Sequence, residues 1–241
     1  MTSKKTIALF GAGTGLGASL AHRFGGAGYR VALVARHAAS LEERVAELAV
    51  AGIEAVAFPA DLTDLDGIPA LVHSIEDGLG AIDVAVFAPA PSDASFVPAV
   101  DLDASTLQCM ANIFTFAPVE VSHAVLPGML ARGDGAIVIV GGLTAVVTRP
   151  GMSGVGPLMA ATRNYVLTLN AEVASRGVYA GTVNIGAVID RSTGLRAMTA
   201  SGARLDPNLP VIDPDTIAEE IQTLIASRDR VESILPPLPQ S

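Results

Sequence analysis

The chain has 241 residues, and its 15 Lys and Arg against 24 Asp and Glu give a net charge of −9. Half of the residues are hydrophobic and only 16% are charged, a composition that excludes an intrinsically disordered chain. The negative charge argues against nucleic acid as a main partner, because binding to a phosphate backbone needs clustered Lys and Arg. Lysine occurs only at Lys4 and Lys5.

The cysteine content and the hydropathy bear on the expected location of the protein in the cell. The single cysteine, Cys109, excludes an internal disulfide and a cysteine-built zinc site, and we expect it to be buried as a small apolar residue. The longest uncharged run, 104–119, has 16 residues including polar ones, whereas a membrane span needs about 20 apolar residues. With no secretory signal either, the sequence predicts a cytoplasmic protein without a membrane partner.

Short apolar runs alternate with longer helical stretches along the chain. The first half reads as strand 6–10, helix 16–27, strand 30–35, helix 41–51, strand 54–58, helix 64–78 and strand 82–87. The second half continues with helical region 105–130, strand 136–140, helix 152–175, strand 179–185, helix 215–227 and strand 231–235.

Regular alternation with continuous apolar strands predicts an α/β protein with a Rossmann fold. We expect a doubly wound parallel sheet of about seven strands with helices on both faces. The composition does not shift along the chain, so residues 1–241 are predicted to form a single domain. Segment 190–214 looks mobile and is the candidate substrate or lid segment.

A glycine-rich loop joins the first strand to the first helix, with the sequence Gly11-Ala12-Gly13-Thr14-Gly15-Leu16-Gly17. Gly11 permits a sharp turn off the strand, Gly15 lets a pyrophosphate approach the backbone, and Gly17 lets the helix pack close to the sheet. The helix N-terminus then offers free N–H groups and a positive dipole end to phosphates. The loop, with Gly13, Thr14 and Leu16, predicts dinucleotide binding; the alternative is a glycine turn without a ligand.

The end of the second strand bears on the choice between NAD and NADP. It reads Leu33-Val34-Ala35-Arg36-His37, with no Asp or Glu to bind a ribose 2′-hydroxyl. The guanidinium of Arg36 suits a 2′-phosphate, which favours NADP(H) over NAD(H). An ordinary surface arginine is the alternative.

Asp61-Leu62 follows the third strand. Its carboxylate can bind the adenine amino group and its leucine can cover the ring. The alternative interpretation is a capping region before the next helix.

Several features together resemble one known family. These are Gly11-x-x-x-Gly15-x-Gly17, Asp61-Leu62-Thr63, Asn112, the strand 137–140, Pro150 and Ala171-Glu172. They resemble the short-chain dehydrogenase/reductase family from Thr6 to about Pro236. The resemblance implies an oxidoreductase in which a tyrosine passes the proton, a lysine four residues later lowers its pKa, and a serine orients the substrate oxygen. An asparagine holds a water in the proton relay.

Mapping that family onto this chain leaves most catalytic positions changed. The serine position falls on Gly142, the tyrosine on Val155 and the lysine on Met159, so only Asn112 matches. No lysine follows Lys5, so no other register restores a Tyr-x-x-x-Lys pair.

Other parts of the pocket also depart from the family pattern. The Asn-Asn-Ala-Gly segment of the family is replaced by Phe87-Ala88-Pro89-Ala90, in which Ala88 is predicted to contact the cofactor.

Thr144 and Ser153 carry hydroxyls near the expected pocket, although loop hydroxyls without a function are more common. No metal site is expected.

Two function hypotheses follow. The first is a divergent NADP(H)-dependent oxidoreductase acting on an unknown small carbonyl or alcohol, with the proton coming from bound water or the substrate. The second is a non-catalytic NADP(H)-binding protein, a sensor or partner subunit with a small-molecule effector. By resemblance, the helical regions 105–130 and 152–175 imply a homodimer or homotetramer.

Overall fold

The computed structural model describes residues 4–89, 97–200 and 210–238. Its strands are β1 (Thr6–Phe10), β2 (Arg30–Ala35), β3 (Ala55–Pro59), β4 (Ile82–Phe87), β5 (Gly135–Gly142), β6 (Val178–Ile185), β7 (Val188–Ile189), β8 (Val211–Ile212) and β9 (Glu232–Leu235). Its α-helices are α1 (Leu16–Gly26), α2 (Ala38–Val50), α3 (Ile68–Leu79), α4 (Ala104–Ala111), α5 (Ala117–Arg132), α6 (Gly156–Val173), α7 (Thr193–Ala200) and α8 (Pro214–Ser227).

Seven strands of the described chain form one parallel sheet in the order β3-β2-β1-β4-β5-β6-β9. The strand order reverses between β1 and β4, which pair directly. This is the doubly wound topology that the alternation of strands and helices predicted, and the prediction is confirmed. In such sheets ligands bind where the order reverses, beyond the carboxyl ends of the strands.

Each face of the sheet is covered by helices. Along β1, Ala8 and Phe10 face one side, with α3, α5 and α6, while Ile7 and Leu9 face the other, with α1, α2 and α8. All four of these side chains are almost completely buried. The apolar strands are therefore continuous because both of their faces lie in the core.

The long helical run Ala104–Arg132 joins α4 to α5 through a π-helix, Asn112–Phe116. By length and composition alone these 29 residues could cross a membrane, and 39% of the most apolar window is buried in the protein. Along α5, Val121, Val125 and Met129 lie four residues apart and pack on the sheet. Core helices of this kind pass the same test, so the match is weak evidence for a span.

Helix α6 begins at Gly156, so the predicted start at residue 152 is wrong by one turn. Pro157 occupies the first turn of the helix, where its fixed φ and missing N–H are tolerated. Val155 is consequently the residue that precedes the helix rather than part of its interior.

Segment 190–214 contains more regular structure than its sequence predicted. Strand β7, directly before the segment, pairs in parallel with β8 near the end of the segment, and α7 lies between them. The predicted mobility of residues 201–209 lies outside the described residues. Cys109 is exposed on α4, so the expectation that it is buried is wrong. The buried residue of that helix is its neighbour Met110.

Candidate functional site

The predicted ligand-binding residues follow the carboxyl ends of neighbouring strands. Gly11 follows β1, Arg36 follows β2, Asp61 lies two residues beyond β3, and Ala88 follows β4. Gly142 ends β5. Since all of these strands are parallel, the fold brings the five positions to one edge of the sheet.

The turn at Gly11 requires glycine for two reasons. Its φ is +107°, a backbone conformation that side chains disfavour. A Cβ there would also lie 2.5 Å from the backbone nitrogen of Pro89. The N–H groups of Gly11 and Ala12 donate to the carbonyl of Val34, at 3.0 and 2.9 Å, and so fasten the turn to β2.

The rest of the loop is closely packed at Gly17 and open at Gly13. A Cβ on Gly17 would lie 2.8 Å from the backbone of Ala12, so α1 runs close to the turn. By contrast, apart from Gly13 and its two neighbours in the chain, no described atom lies within 4 Å of the Cβ position of Gly13. The loop therefore has the close helix packing and the open side that a pyrophosphate-binding turn needs.

The N-terminus of α1 is available to an anion. No side chain of the described residues caps it, and Gly15 is the residue before the helix. The first N–H groups of a helix lack internal partners and, with the helix dipole, favour phosphate. These residues fit the pyrophosphate of a dinucleotide.

The start of α7 lies against this loop. The hydroxyls of Thr14 and Thr193 are 3.1 Å apart. The Cβ of Ser192 is 3.1 Å from the Cβ position of Gly15. The segment predicted to be a lid thus contacts the glycine loop directly.

Arg36 and Asp61 lie close enough to interact at the β2–β3 end of the site. Arg36 is exposed. The N–H and the hydroxyl of Thr63 both donate to Oδ1 of Asp61, at 2.9 and 2.8 Å. These bonds, with burial opposing them and the positive charge of Arg36 adding to them, lower the pKa of Asp61. Leu62 is only 5% exposed and packs in the core, so little of its side chain is left to cover a ring.

The structure brings Gly142 and Met159 into contact. The N–H of Gly142 donates to the thioether Sδ of Met159 at 3.2 Å. A Cβ on Gly142 would lie 3.1 Å from the same sulfur. The methionine sulfur therefore occupies the space beside residue 142.

Val155 lies in an apolar cluster beside these two residues. It is 3% exposed and packs with Met110 and Phe114. Met152 and Met159 pack against the same cluster. The cluster offers no group that titrates near neutral pH.

Asn112 begins the π-helix between α4 and α5, and its side chain ties that helix to the loop after β3. Its Nδ2 donates to the carbonyl of Thr63 at 3.1 Å. π-helical turns are frequent at functional sites. Asn112 is thus linked to the same loop that carries Asp61.

The tyrosines and lysines do not supply a phenol–ammonium pair here. Lys4 pairs with Glu54 and Lys5 with Asp134, before the amino ends of the strands. Burial raises the pKa of Tyr179 to about 12, and its hydroxyl donates to the carbonyl of Arg230.

An ion pair that sequence reasoning missed lies one turn along α6 from Met159. Arg163 donates through Nε and Nη2 to the two carboxylate oxygens of Glu232 on β9, at 2.5 and 2.6 Å. Asn184 on β6 donates to the same carboxylate at 2.7 Å. These contacts join residues far apart in sequence, so no local sequence signal could have identified the pair.

A small cavity lies between α6 and the β5–β6 strands. Its volume is about 20 Å³, and Gly141, Met159, Arg163 and Asn184 are among its lining residues. The Oδ1 of Asn184 has no partner among the described residues. The cavity is large enough for about one water molecule.

A glycine turn and an uncapped helix N-terminus at the reversal point of a doubly wound sheet define a dinucleotide-binding α/β protein. A sequence profile described as short chain dehydrogenase matches residues 5–199. The chain belongs to the short-chain dehydrogenase family, a family of oxidoreductases.

Two curated relatives are each named dehydrogenase/reductase SDR family protein 7-like. The one from Drosophila melanogaster is 28% identical over 233 residues, covering 93% of this chain and 71% of the relative. The one from Anopheles gambiae is 30% identical over 243 residues, covering 97% and 75%. A solved metagenomic short-chain oxidoreductase in complex with NADP has a TM-score of 0.80 and 23% identity, covering 98% of this chain and 99% of that one. This last likeness supports the fold.

Proposed function

We propose that this protein is an NADP(H)-dependent oxidoreductase that acts on small carbonyl or alcohol substrates without a proton-donating side chain. One observation carries the proposal. The glycine turn at Gly11 is intact, while Gly142, Val155 and Met159, the residues that we map onto the family's serine, tyrosine and lysine, form an uncharged group.

The preference for NADP(H) rests on Arg36. Arg36 is exposed at the end of β2, where its guanidinium can pair with a 2′-phosphate. A solved relative of the same fold is in complex with NADP. NADPH, when bound, would supply the hydride.

The chain's own residues would bind and position rather than transfer a proton. The turn at Gly11 and the N-terminus of α1 would hold the pyrophosphate. The apolar cluster around Val155 would exclude water from one wall of the pocket. The proton on the substrate oxygen would come from water. Ketone reduction should therefore be about 10²–10⁴-fold slower than in an enzyme with a general acid, since this factor is the usual contribution of such a group.

A second candidate is a non-catalytic NADP(H)-binding sensor or partner subunit. One observation favours it. The sulfur of Met159 already accepts a hydrogen bond from the Gly142 N–H, at the place where a substrate-orienting group would be needed.

Two measurements separate these candidates. NADPH affinity is measured by fluorescence titration, and NADPH oxidation is followed with a panel of ketones, dicarbonyls and enones. Binding with slow turnover supports the oxidoreductase, whereas binding without turnover above background supports the second candidate. If NADPH does not bind with a Kd below about 1 mM, a binding free energy of only about −4 kcal/mol, both candidates are ruled out.

A further inference from the structure

The chain leaves β5 through a short 3₁₀ turn, Leu143–Ala145, that carries one hydroxyl side chain, Thr144. The flanking residues of this turn, Leu143 and Ala145, are buried, whereas Thr144 between them is partly exposed. The Cβ of Thr144 lies 3.7 Å from the Cβ position of Gly156, so its side chain faces the start of α6. The buried neighbours fix the direction of this side chain.

The hydroxyl of Thr144 lies beside the space that a side chain at residue 142 would fill. Its Oγ1 is 3.5 Å from the Cβ position of Gly142. A serine hydroxyl at 142 would extend about one bond length beyond that Cβ. Thr144 therefore presents a hydroxyl close to the place where a serine at 142 would present one.

This hydroxyl is only weakly engaged. Among the described residues its hydrogen bond is to Met159 Sδ, at 3.9 Å. A thioether is a weak acceptor, and this length is near the limit for a bond to sulfur. The O–H bond can therefore rotate toward a stronger acceptor, such as a carbonyl oxygen, at little cost in free energy.

We propose that Thr144 orients the substrate oxygen in this protein, donating a hydrogen bond from Oγ1 to the carbonyl oxygen that is reduced. The inference rests on the proposed oxidoreductase function and names the residue that takes over the role of the missing serine. Donation requires no base, because the hydroxyl keeps its proton while negative charge grows on the substrate oxygen. The β-branched side chain has few χ1 states, so its hydroxyl is held in position.

The central comparison uses two substitutions and a transplanted hydroxyl. Thr144→Val removes the hydroxyl and keeps the shape, and Thr144→Ser keeps the hydroxyl. Adding Gly142→Ser to Thr144→Val returns a hydroxyl from residue 142, since the flexible end of Met159 can move to accommodate it. Thr148→Val, an exposed threonine of the same loop, is the matched control.

Turnover is measured with NADPH and 2,3-butanedione. We expect Thr144→Val to lower kcat/KM by about 100-fold, the lower end of the loss of one donor to a developing oxyanion, with NADPH affinity unchanged. Thr144→Ser should stay near wild type, and the Gly142→Ser addition should recover most of the loss. Turnover of Thr144→Val equal to that of the Thr148→Val control would overturn the proposal. A loss of turnover in Ser153→Ala, with none in Thr144→Val, would also overturn the proposal.

A binding arm keeps this test separate from the proposed function. The probe is isobutyramide, an unreactive carbonyl compound, titrated into the NADPH complex. If the wild type shows no turnover, the oxidoreductase proposal fails, and Thr144 is judged on amide affinity alone. We expect Thr144→Val to weaken that affinity by about 2- to 10-fold, the contribution of one neutral hydrogen bond. Equal affinity in wild type and variant, or none in either, would contradict the role of Thr144.

Discussion

At Gly11 the backbone conformation and the packing both exclude a side chain. The φ of +107° strains any other residue, and a Cβ would overlap the backbone of Pro89 at 2.5 Å. Gly13, two residues on, has open space around its Cβ position within the described part of the chain. The two glycines therefore serve different purposes although the sequence presents them alike.

Gly11→Ala should destabilise the protein by about 2–6 kcal/mol, since backbone strain and overpacking each cost about 1–3 kcal/mol. Gly13→Ala should change the free energy of unfolding by less than about 1 kcal/mol, as surface substitutions usually do. Urea unfolding of both variants checks this, and equal stabilities would contradict the turn geometry.

Arg36 is the residue on which the proposed preference for NADP(H) rests. Arg36→Ala should weaken NADPH binding by about 10- to 100-fold, the value of a bond between charged groups, and leave NADH binding unchanged. Arg176→Ala, an exposed arginine beyond α6, is the matched control. Titration of each variant with both nucleotides measures the effect, and a parallel loss for NADH would show that Arg36 does not contact a 2′-phosphate.

Asp134 gives the protein a pH-dependent contribution to stability. Burial alone would raise its pKa, but hydrogen bonds from Arg228 and Lys5 outweigh burial and lower it. A lowered pKa stabilises the fold at pH values above the unfolded pKa of about 3.9, and this stability is lost as the pH falls through the folded pKa.

Asp134→Asn should therefore be less stable than wild type at pH 7, by no more than about 1 kcal/mol because the pair is half-exposed. The difference should shrink as the pH falls below about 4. Unfolding measured from pH 7 to pH 3 checks this. A difference that grows toward low pH would mean that the pKa is raised instead.

At the level of elements, the positions of most strands and helices could be predicted, because their apolar periodicity matches burial on the sheet. Boundaries set by local chemistry were harder, as at α6, where Pro157 places the helix start at Gly156. The helix α7 and the β7–β8 pair were missed because such short elements carry little periodicity.

The ion pair between α6 and β9 joins two elements that no local signal connects. The side chains of Arg163 and Glu232 are 30% and 22% exposed. Glu232→Ala leaves Arg163 and Asn184 without their shared acceptor. We expect a loss of about 1–3 kcal/mol, between the values for exposed and for buried pairs.

A double-mutant cycle tests this pair. The combined change Arg163→Met with Glu232→Leu should lose less than the sum of the single variants, because it leaves no unpaired charge behind. Strict additivity in urea unfolding would show that the two side chains do not interact in solution.

For the whole molecule, the alternation of strands and helices was sufficient to predict the doubly wound sheet. The composition of the pocket wall was predictable only in part. The sequence shows that no lysine follows Lys5, but the contact between Met159 and Gly142 depends on how two distant elements pack. A homo-oligomer, a cytoplasmic location and the absence of nucleic-acid and membrane partners stay predictions.

We propose that this protein combines an intact dinucleotide turn with a pocket that lacks the family's proton-transferring side chains. The double variant Val155→Tyr with Met159→Lys introduces a tyrosine and a lysine at the mapped positions. Replacing Met159 with lysine removes the sulfur that lies beside Gly142. An NADPH affinity equal to that of the wild type confirms that the variant is folded.

The measurement is the single-turnover rate of NADPH oxidation with 2,3-butanedione across pH 6 to 10, for the wild type, Met159→Lys alone and the double variant. We expect the wild type to react slowly, at a rate that follows no titrating side chain, and the double variant to react about 10²–10⁴-fold faster, at a rate that follows the tyrosine pKa. A double variant that binds NADPH but reacts no faster than the wild type would refute this proposal, as would a fast wild type whose rate already follows a titrating group.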